Sequence, residues 1–266
     1  MDVIQRNNIT VYGNEGATQT IVFGHGFGTD QTSFRQLVQF FGKDYRVILY
    51  DNVGGGKADA EAYSPARYNT LNGYVTDLCD ICEYLGLKDV IFVGHSVSGM
   101  VGVLASIRNP EYFSKLILLG ASARYLNDDT AGYTGGFTQA DLDGLYQAMS
   151  SNYYAWASGF SALVMNNPDR PQLAETFANT LSAIRPDIAL AVARVIFESD
   201  HRADLAKVTR PVLIVQSSED VAVPDAAAKY LQANIPGSQL IHINSKGHYP
   251  HMSAPGEVLN AILQFV

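Results

Sequence analysis

Ser96, Asp220 and His248 are the side chains of this sequence best suited to do chemistry together. A serine hydroxyl is a weak nucleophile at neutral pH. It needs a base within hydrogen-bond reach, and that base needs an acid to fix its tautomer. Each of the three follows an apolar, β-branched run of the kind that forms a buried strand. Ser96 follows Val90-Ile91-Phe92-Val93-Gly94-His95, and a small, apolar series from Ser98 to Ala105 comes after it. Asp220 follows the run Val212 to Gln216 and is itself followed by Val221-Ala222-Val223-Pro224. His248 lies in Ser245-Lys246-Gly247-His248-Tyr249-Pro250-His251, beyond the run Leu240 to Ile243. Glu219 is the rival acid and His251 the rival base. A Ser, acid and His in this order, each at the carboxyl end of a strand, would support acyl transfer with no metal and no cofactor.

Small residues must flank such a serine, because a strand that turns sharply into a helix brings the helix close. Gly94 and Ser98 hold those places, so the pattern is Gly-x-Ser-x-Ser. The arrangement resembles the nucleophile elbow of the α/β-hydrolases. A second glycine loop, Gly24-His25-Gly26-Phe27-Gly28-Thr29-Asp30-Gln31, follows the run Thr20 to Phe23. A dinucleotide fingerprint would need its third glycine where Thr29 stands. The better reading is a loop offering a backbone N–H to an oxyanion, with Phe27 and Val97 as the two donors. His25 and His95 are expected to support the site by hydrogen bonds. A carboxylate at position 96 would be required for a dehalogenase, which excludes that branch.

These residues need a scaffold, and the rest of the chain predicts an α/β fold. Strand and helix patterns alternate from Thr20 to Leu119: a helical segment from Thr32 to about Phe41, a strand Arg46 to Tyr50, a helix Leu71 to Leu85, and a strand Leu116 to Leu119. That alternation marks a mostly parallel sheet with helices on both faces. Val3 to Tyr12 alternates weakly and predicts an antiparallel edge strand or hairpin. After Gly120 the strands stop for about ninety residues. Periodic segments at 139–149, 152–165, 172–182 and 187–198, separated in part by Pro168, Pro171 and Pro186, predict a four-helix lid insertion. Thr138 to Asp141 reads as an acidic capping box. The expected division is a core of 1–122 and 201–266 with a helical lid of 123–200. A helix near Ala226 to Asn234 and a closing helix Glu257 to Val266 complete the pattern.

Of 266 residues 47% are apolar and 17% charged, enough to bury a large core. A net charge of −8 with no basic run argues against nucleic acid. Met1 to Arg6 lacks a basic and an apolar region, and no apolar stretch reaches membrane-spanning length, so an intracellular protein is expected. The two cysteines, Cys79 and Cys82, form an isolated C-x-x-C. Their helical spacing with Val75, Leu78 and Leu85 places them on a buried helix face rather than in a zinc or redox site. Nothing demands an oligomer, so a monomer is expected.

The motifs resemble those of the plant karrikin and strigolactone receptors, with the karrikin-insensitive type closest. The resemblance is carried by the glycine loop, Val47-Ile48-Leu49-Tyr50-Asp51-Asn52 and Gly94-His95-Ser96-Val97-Ser98-Gly99-Met100. Arg124-Tyr125-Leu126-Asn127-Asp128, Arg185-Pro186-Asp187-Ile188-Ala189-Leu190 and Ile196-Phe197-Glu198-Ser199-Asp200 extend it through the insertion. Asn167-Pro168-Asp169-Arg170-Pro171 and Gly247-His248-Tyr249-Pro250-His251-Met252-Ser253 lean instead toward the bacterial stress-signalling hydrolase RsbQ.

The resemblance implies a slow serine hydrolase that binds a small butenolide under the lid and signals through protein partners. Those partners would be an F-box protein and a repressor in the plant branch, or a phosphatase in the bacterial branch. Cytoplasmic and nuclear residence goes with it. The implied pocket lining is Phe27, Tyr125, Leu145, Phe160, Phe177, Phe197, Val221 and Ala222; Trp156 is expected to serve helix packing. Gly99 stands where Ala is common in the plant receptors, and Tyr249 where Leu is usual, adding a hydroxyl near the pocket mouth. Extra residues around Thr130 to Thr134 change the approach to the lid. An ordinary metabolic carboxylesterase with high turnover is the competing function, and a binding module with an idle triad a third.

Overall fold

Among the described residues, seven strands form one sheet in the order β1-β3-β2-β4-β5-β6-β7. The structure, a computed structural model, describes residues 2–266. The strands are β1 (Thr10–Gly13), β2 (Thr20–Gly24), β3 (Arg46–Tyr50), β4 (Val90–His95), β5 (Phe113–Leu119), β6 (Val212–Glu219) and β7 (Gln239–Lys246). Only β1 runs antiparallel to its neighbour, β3. Central β4 is buried at every position, which is why its sequence is a continuous apolar run. Edge strand β1 is exposed throughout. The chain winds outward from β2 toward β3 and, in the other direction, from β4 toward β7. The crevice beyond the carboxyl ends of β2 and β4 is therefore the switch point, where open α/β sheets bind ligands.

Helices cover both faces. The chain runs through α1 (Val3–Arg6), α2 (Arg35–Phe41), α3 (Asn72–Tyr84), α4 (Val97–Arg108), α5 (Gln139–Ser151), α6 (Tyr153–Met165), α7 (Pro171–Ser182), α8 (Pro186–Phe197), α9 (Asp225–Asn234), α10 (Pro250–Ser253) and α11 (Pro255–Leu263). One apolar layer joins α2 and α11 to the sheet through Phe34, Phe41, Val258 and Ile262. The other holds α3, α4 and the inner faces of α5 to α8 in one continuous core.

Helices α5 to α8 all lie between β5 and β6. The Thr138–Asp141 capping box forms: Asp141 N–H donates to the Thr138 hydroxyl oxygen (3.2 Å) and Thr138 N–H to the Asp141 carboxylate (2.8 Å). Proline opens both α7 and α8, where its missing N–H costs nothing. Helix α6 packs on α7, and α5 on both α6 and α8.

Two local expectations change. Val3–Arg6 is a helical turn rather than strand, because the Asp2 carboxylate accepts from Ile4 N–H and Arg6 turns inward to Asp80 at 2.8 Å. The closing helix is α11, ending at Leu263, and the unforeseen α10 precedes it. Cys82 is buried and Cys79 half-buried on α3, and both are free thiols. Burial pushes the Cys79 thiol up to about 11 and the Cys82 thiol higher still, so neither is a ready thiolate. Among the described residues no helix is long and apolar enough to cross a membrane, and no group of three or more His, Cys, Asp and Glu could hold a metal ion.

Candidate active site

The turn from β4 to α4 holds Ser96 at φ 53°, ψ −121°, a left-handed conformation that costs a non-glycine residue about 1–3 kcal/mol. Hydrogen bonds from Ser96 N–H to Leu119 O and from Gly99 N–H to Ser96 O, both 2.9 Å, hold it there. The small flanking residues are a steric necessity. A Cβ on Gly94 would stand 2.5 Å from Ser98 O, and one on Gly99 2.7 Å from the Ala121 Cβ. That approach accounts for glycine rather than alanine at 99.

The three strand ends deliver Ser96, Asp220 and His248 into one hydrogen-bonded line. Ser96 Oγ is 2.9 Å from His248 Nε2, and His248 Nδ1 is 2.9 and 3.1 Å from the two Asp220 oxygens. All three side chains are buried. Asp220 Oδ1 also accepts from the N–H groups of Ala222 and Val223 at 2.9 and 3.0 Å. These donors stabilise the ionised carboxylate, which requires the proton on His248 Nδ1 and leaves Nε2 free to accept from Ser96. The rivals lie elsewhere. Glu219 is half-exposed and pairs with Lys246 (3.0 Å). His251 is wholly buried behind the site, stacked on Phe34, and burial pushes its pKa down to about 3.

His25 and His95 each hold a loop. Asn52 N–H donates to His25 Nε2 (2.9 Å), so the proton sits on Nδ1, where it binds Gly26 O at 2.9 Å and braces the glycine loop. His95 Nε2–H donates to the carbonyl of His248 at 2.8 Å. Burial pushes His95 well below the usual histidine range, so it stays neutral. Gly26 must be glycine, because a Cβ there would lie 2.3 Å from His95 Nδ1.

Beside Ser96 lies a small, mostly apolar cavity of about 20 Å³. A single water needs roughly 10–15 Å³, so the space holds little more than one. Its walls include Phe27, Tyr125, Phe160, Phe197, Ala222 and Tyr249, together with Val164 and Ile196, which sequence reasoning missed. Their spacing on α6 and α8 is that of any buried helix face, so no local signal marked them. A wider groove of about 340 Å³ lies outside, sharing Phe160, Val164 and Ala222 with the cavity. Leu145 and Val221 line this outer groove rather than the cavity, as does Trp156, stacked on Phe160 at 4.9 Å. Phe177 lines neither: it is fully buried behind Tyr249, ring centroids 4.6 Å apart, because α7 lies over Gly28.

Two tyrosines shape the cavity. Tyr125 Oη is 3.1 Å from Ser96 Oγ, and burial pushes its pKa far up, so it is a neutral hydroxyl. Tyr249 is not at the mouth. Its ring is an inner wall, and its hydroxyl donates to Phe27 O at 2.9 Å, joining the histidine loop to the glycine loop. Val97 begins α4, so its N–H has no intrahelical acceptor and is free for an oxyanion.

A parallel sheet with a strained serine turn and a buried Ser–His–Asp line defines the class of α/β-hydrolases. The sequence profile of the alpha/beta hydrolase fold matches residues 19–255. Karrikin insensitive 2 receptor CA of Petunia hybrida is 43% identical, over 99% of this chain and 97% of the relative. Strigolactone esterase D14 of Arabidopsis thaliana is 40% identical, over 97% and 95%. Among solved structures, olei00960, a hydrolase from Oleispira antarctica, superposes with a TM-score of 0.95 at 34% identity, covering 99% and 96%. The chain belongs to the α/β-hydrolase family and, within it, to the group that holds the plant karrikin receptors and strigolactone esterases.

Proposed function

We propose that this chain is a butenolide receptor with slow serine hydrolase activity. The observation that carries the reading is a complete Ser96–His248–Asp220 line beside a small, mostly apolar cavity. Ser96 is the nucleophile, His248 the base that takes its proton and returns it to the leaving group, and Asp220 fixes the imidazole. The N–H groups of Phe27 and Val97 hold the oxyanion of the tetrahedral intermediate.

Helices α5 to α8, residues 123–200, act as a lid over the core formed by 1–122 and 201–266. A ligand pocket normally measures about 300–1,000 Å³. The cavity is far smaller, so ligand admission requires the wall of Phe160, Val164 and Ala222 to yield toward the outer groove, where Leu145 and Val221 meet the incoming molecule. Such gating makes slow turnover natural: once Ser96 holds the acyl group under the lid, entry of water and exit of the acid, rather than acylation, limit the rate. A moving lid also changes the surface offered to partners: an F-box protein and a repressor if this chain works as the plant receptors do, or a phosphatase if it works as RsbQ does. Cytoplasmic and nuclear residence follows from the plant reading.

The likeness to a bacterial hydrolase favours one alternative, a metabolic carboxylesterase. A time course on a fluorogenic butenolide ester separates the two. The receptor reading expects a burst of one product per protein and then a slow phase, both absent in Ser96→Ala. Sustained fast turnover would establish the esterase instead, and an active Ser96→Ala variant would overturn the triad.

A further inference from the structure

The carboxyl end of α6 and the loop that follows it are bonded directly to the loop carrying His248. A helix ends with carbonyls that lack intrahelical partners, and here the histidine loop and Asn167 cover two of them. His248 N–H donates to Val164 O at 2.8 Å. The Asn167 side-chain amide donates to Met165 O and also, at 3.0 Å, to Lys246 O across the junction. Arg170 Nη1 donates to Ser253 O at 2.7 Å, while its other amino group holds the Asn167 amide oxygen. Asn167 is thereby buried with both side-chain polar atoms used, and Arg170 locks its orientation. Gly247 makes the approach possible: at φ +84° a Cβ would lie 2.1 Å from Met165 O.

We propose that Asn167 and Arg170 are positioning residues for His248, so that the tip of the helical insertion and the general base move as one unit. The pair holds the loop on both sides of the base, at Lys246 and at Ser253. Separating the tip from the core breaks the bond on the His248 amide itself, and displacing His248 pulls on the end of α6. The inference rests on the hydrolase reading above and adds a route by which chemistry at Ser96 reaches the insertion.

Steady-state kinetics on p-nitrophenyl acetate over pH 5–9 test it with Asn167→Ala, Arg170→Ala and Asn167→Asp. The aspartate keeps the acceptor for Arg170 but removes the donor to Lys246 O, so it fails with the alanine. A misplaced base lowers kcat by about 10- to 100-fold. KM stays within about three-fold, and the acid limb of the kcat/KM profile shifts, because the loop no longer holds the imidazole against Asp220. Thr138→Ala, which removes the capping bond at the start of α5 and no bond to the histidine loop, leaves kcat and the profile unchanged. If Asn167→Ala folds and keeps kcat within two-fold with an unmoved profile, the proposal is wrong. Wild-type hydrogen exchange decides the matter if the variants do not fold: the His248 amide is expected to exchange together with the amides of the last turn of α6, and free exchange at His248 would overturn the coupling. An inactive Ser96→Ala beside a normal Asn167→Ala removes the coupling alone; an active Ser96→Ala removes the hydrolase reading itself.

Discussion

Two of the places where the helical insertion is attached to the rest of the molecule are held by different forces. At its base, where the chain leaves β5 and returns toward β6, charges hold it. Arg124 pairs with Asp200 at 2.6 Å, and Arg202 pairs with Asp128 and Asp200, both at 2.8 Å. Tyr133 lies under the Arg202 guanidinium at 4.9 Å. These side chains are partly exposed, so salt screens them and each pair adds little stability. At the tip, beyond α6, Asn167 is buried and Arg170 half-buried, and the attachment consists of amide and guanidinium donors on backbone carbonyls. Salt screens such part-buried bonds to neutral carbonyls less, and leaving a buried partner unpaired costs more than the bond contributes. The base is thus a tolerant hinge and the tip a specific clamp.

Breaking the clamp should do the most damage. Gly247→Ala forces a side chain into Met165 O on a left-handed backbone. It is expected to cost about 3 kcal/mol in chemical unfolding and to reduce ester turnover by at least about 10²-fold. Near-normal activity would show that the tip need not touch the histidine loop.

Acid should weaken the histidine layer beneath the clamp, but not by titrating the hinge. His95 and His251 are buried neutral, the latter with its pKa pushed down to about 3 by burial and by the facing His248 and His25. The unfolded chain protonates them near 6.5. Stability is therefore full above that pH and falls as pH drops from about 6.5 toward 3, by about 1.4 kcal/mol per pH unit for each group. His251→Phe, which keeps a ring against Phe34, should remove one group's share of that slope in urea unfolding between pH 6.5 and 4.5. An unchanged slope would place the acid sensitivity elsewhere.

The smallest effect belongs to the hinge. Burial alone would raise the Asp200 pKa, but hydrogen bonds from Arg202 and Arg124 hold it well below the usual carboxylate range. Even so, Asp200→Asn should cost no more than about 1 kcal/mol and lose that effect in 1 M salt. Its kcat should stay within two-fold of wild type. A ten-fold fall in kcat would make the hinge, not the tip, the link to the chemistry.

What could be read from the sequence follows the same division between near and far in the chain. The strands, the elbow and the capping box are local patterns, and they stand where their residues predict. The order Ser96, Asp220, His248 needed only the knowledge that parallel strands deliver their carboxyl ends to one edge. Val3–Arg6 was misread because Asp2 capping outweighs a weak alternation. Leu145, Phe177 and Val221 are apolar residues of helices or loops whose facing direction depends on how α5 to α8 lean. Tyr249 lines the cavity, as its neighbour in sequence suggests, but its hydroxyl is not at the mouth: it meets Phe27 O, 222 residues away. Asn167 meets Lys246 across 79 residues. No periodicity encodes such pairings.

The most direct test of the central claim is intact-protein mass spectrometry after mixing with one equivalent of a butenolide ester. The receptor reading predicts that a mass increment of one acyl group accumulates within the burst, maps to Ser96, and disappears over the slow phase. Ser96→Ala should show none. Complete substrate cleavage with no increment at any time, or an increment retained by Ser96→Ala, would contradict it.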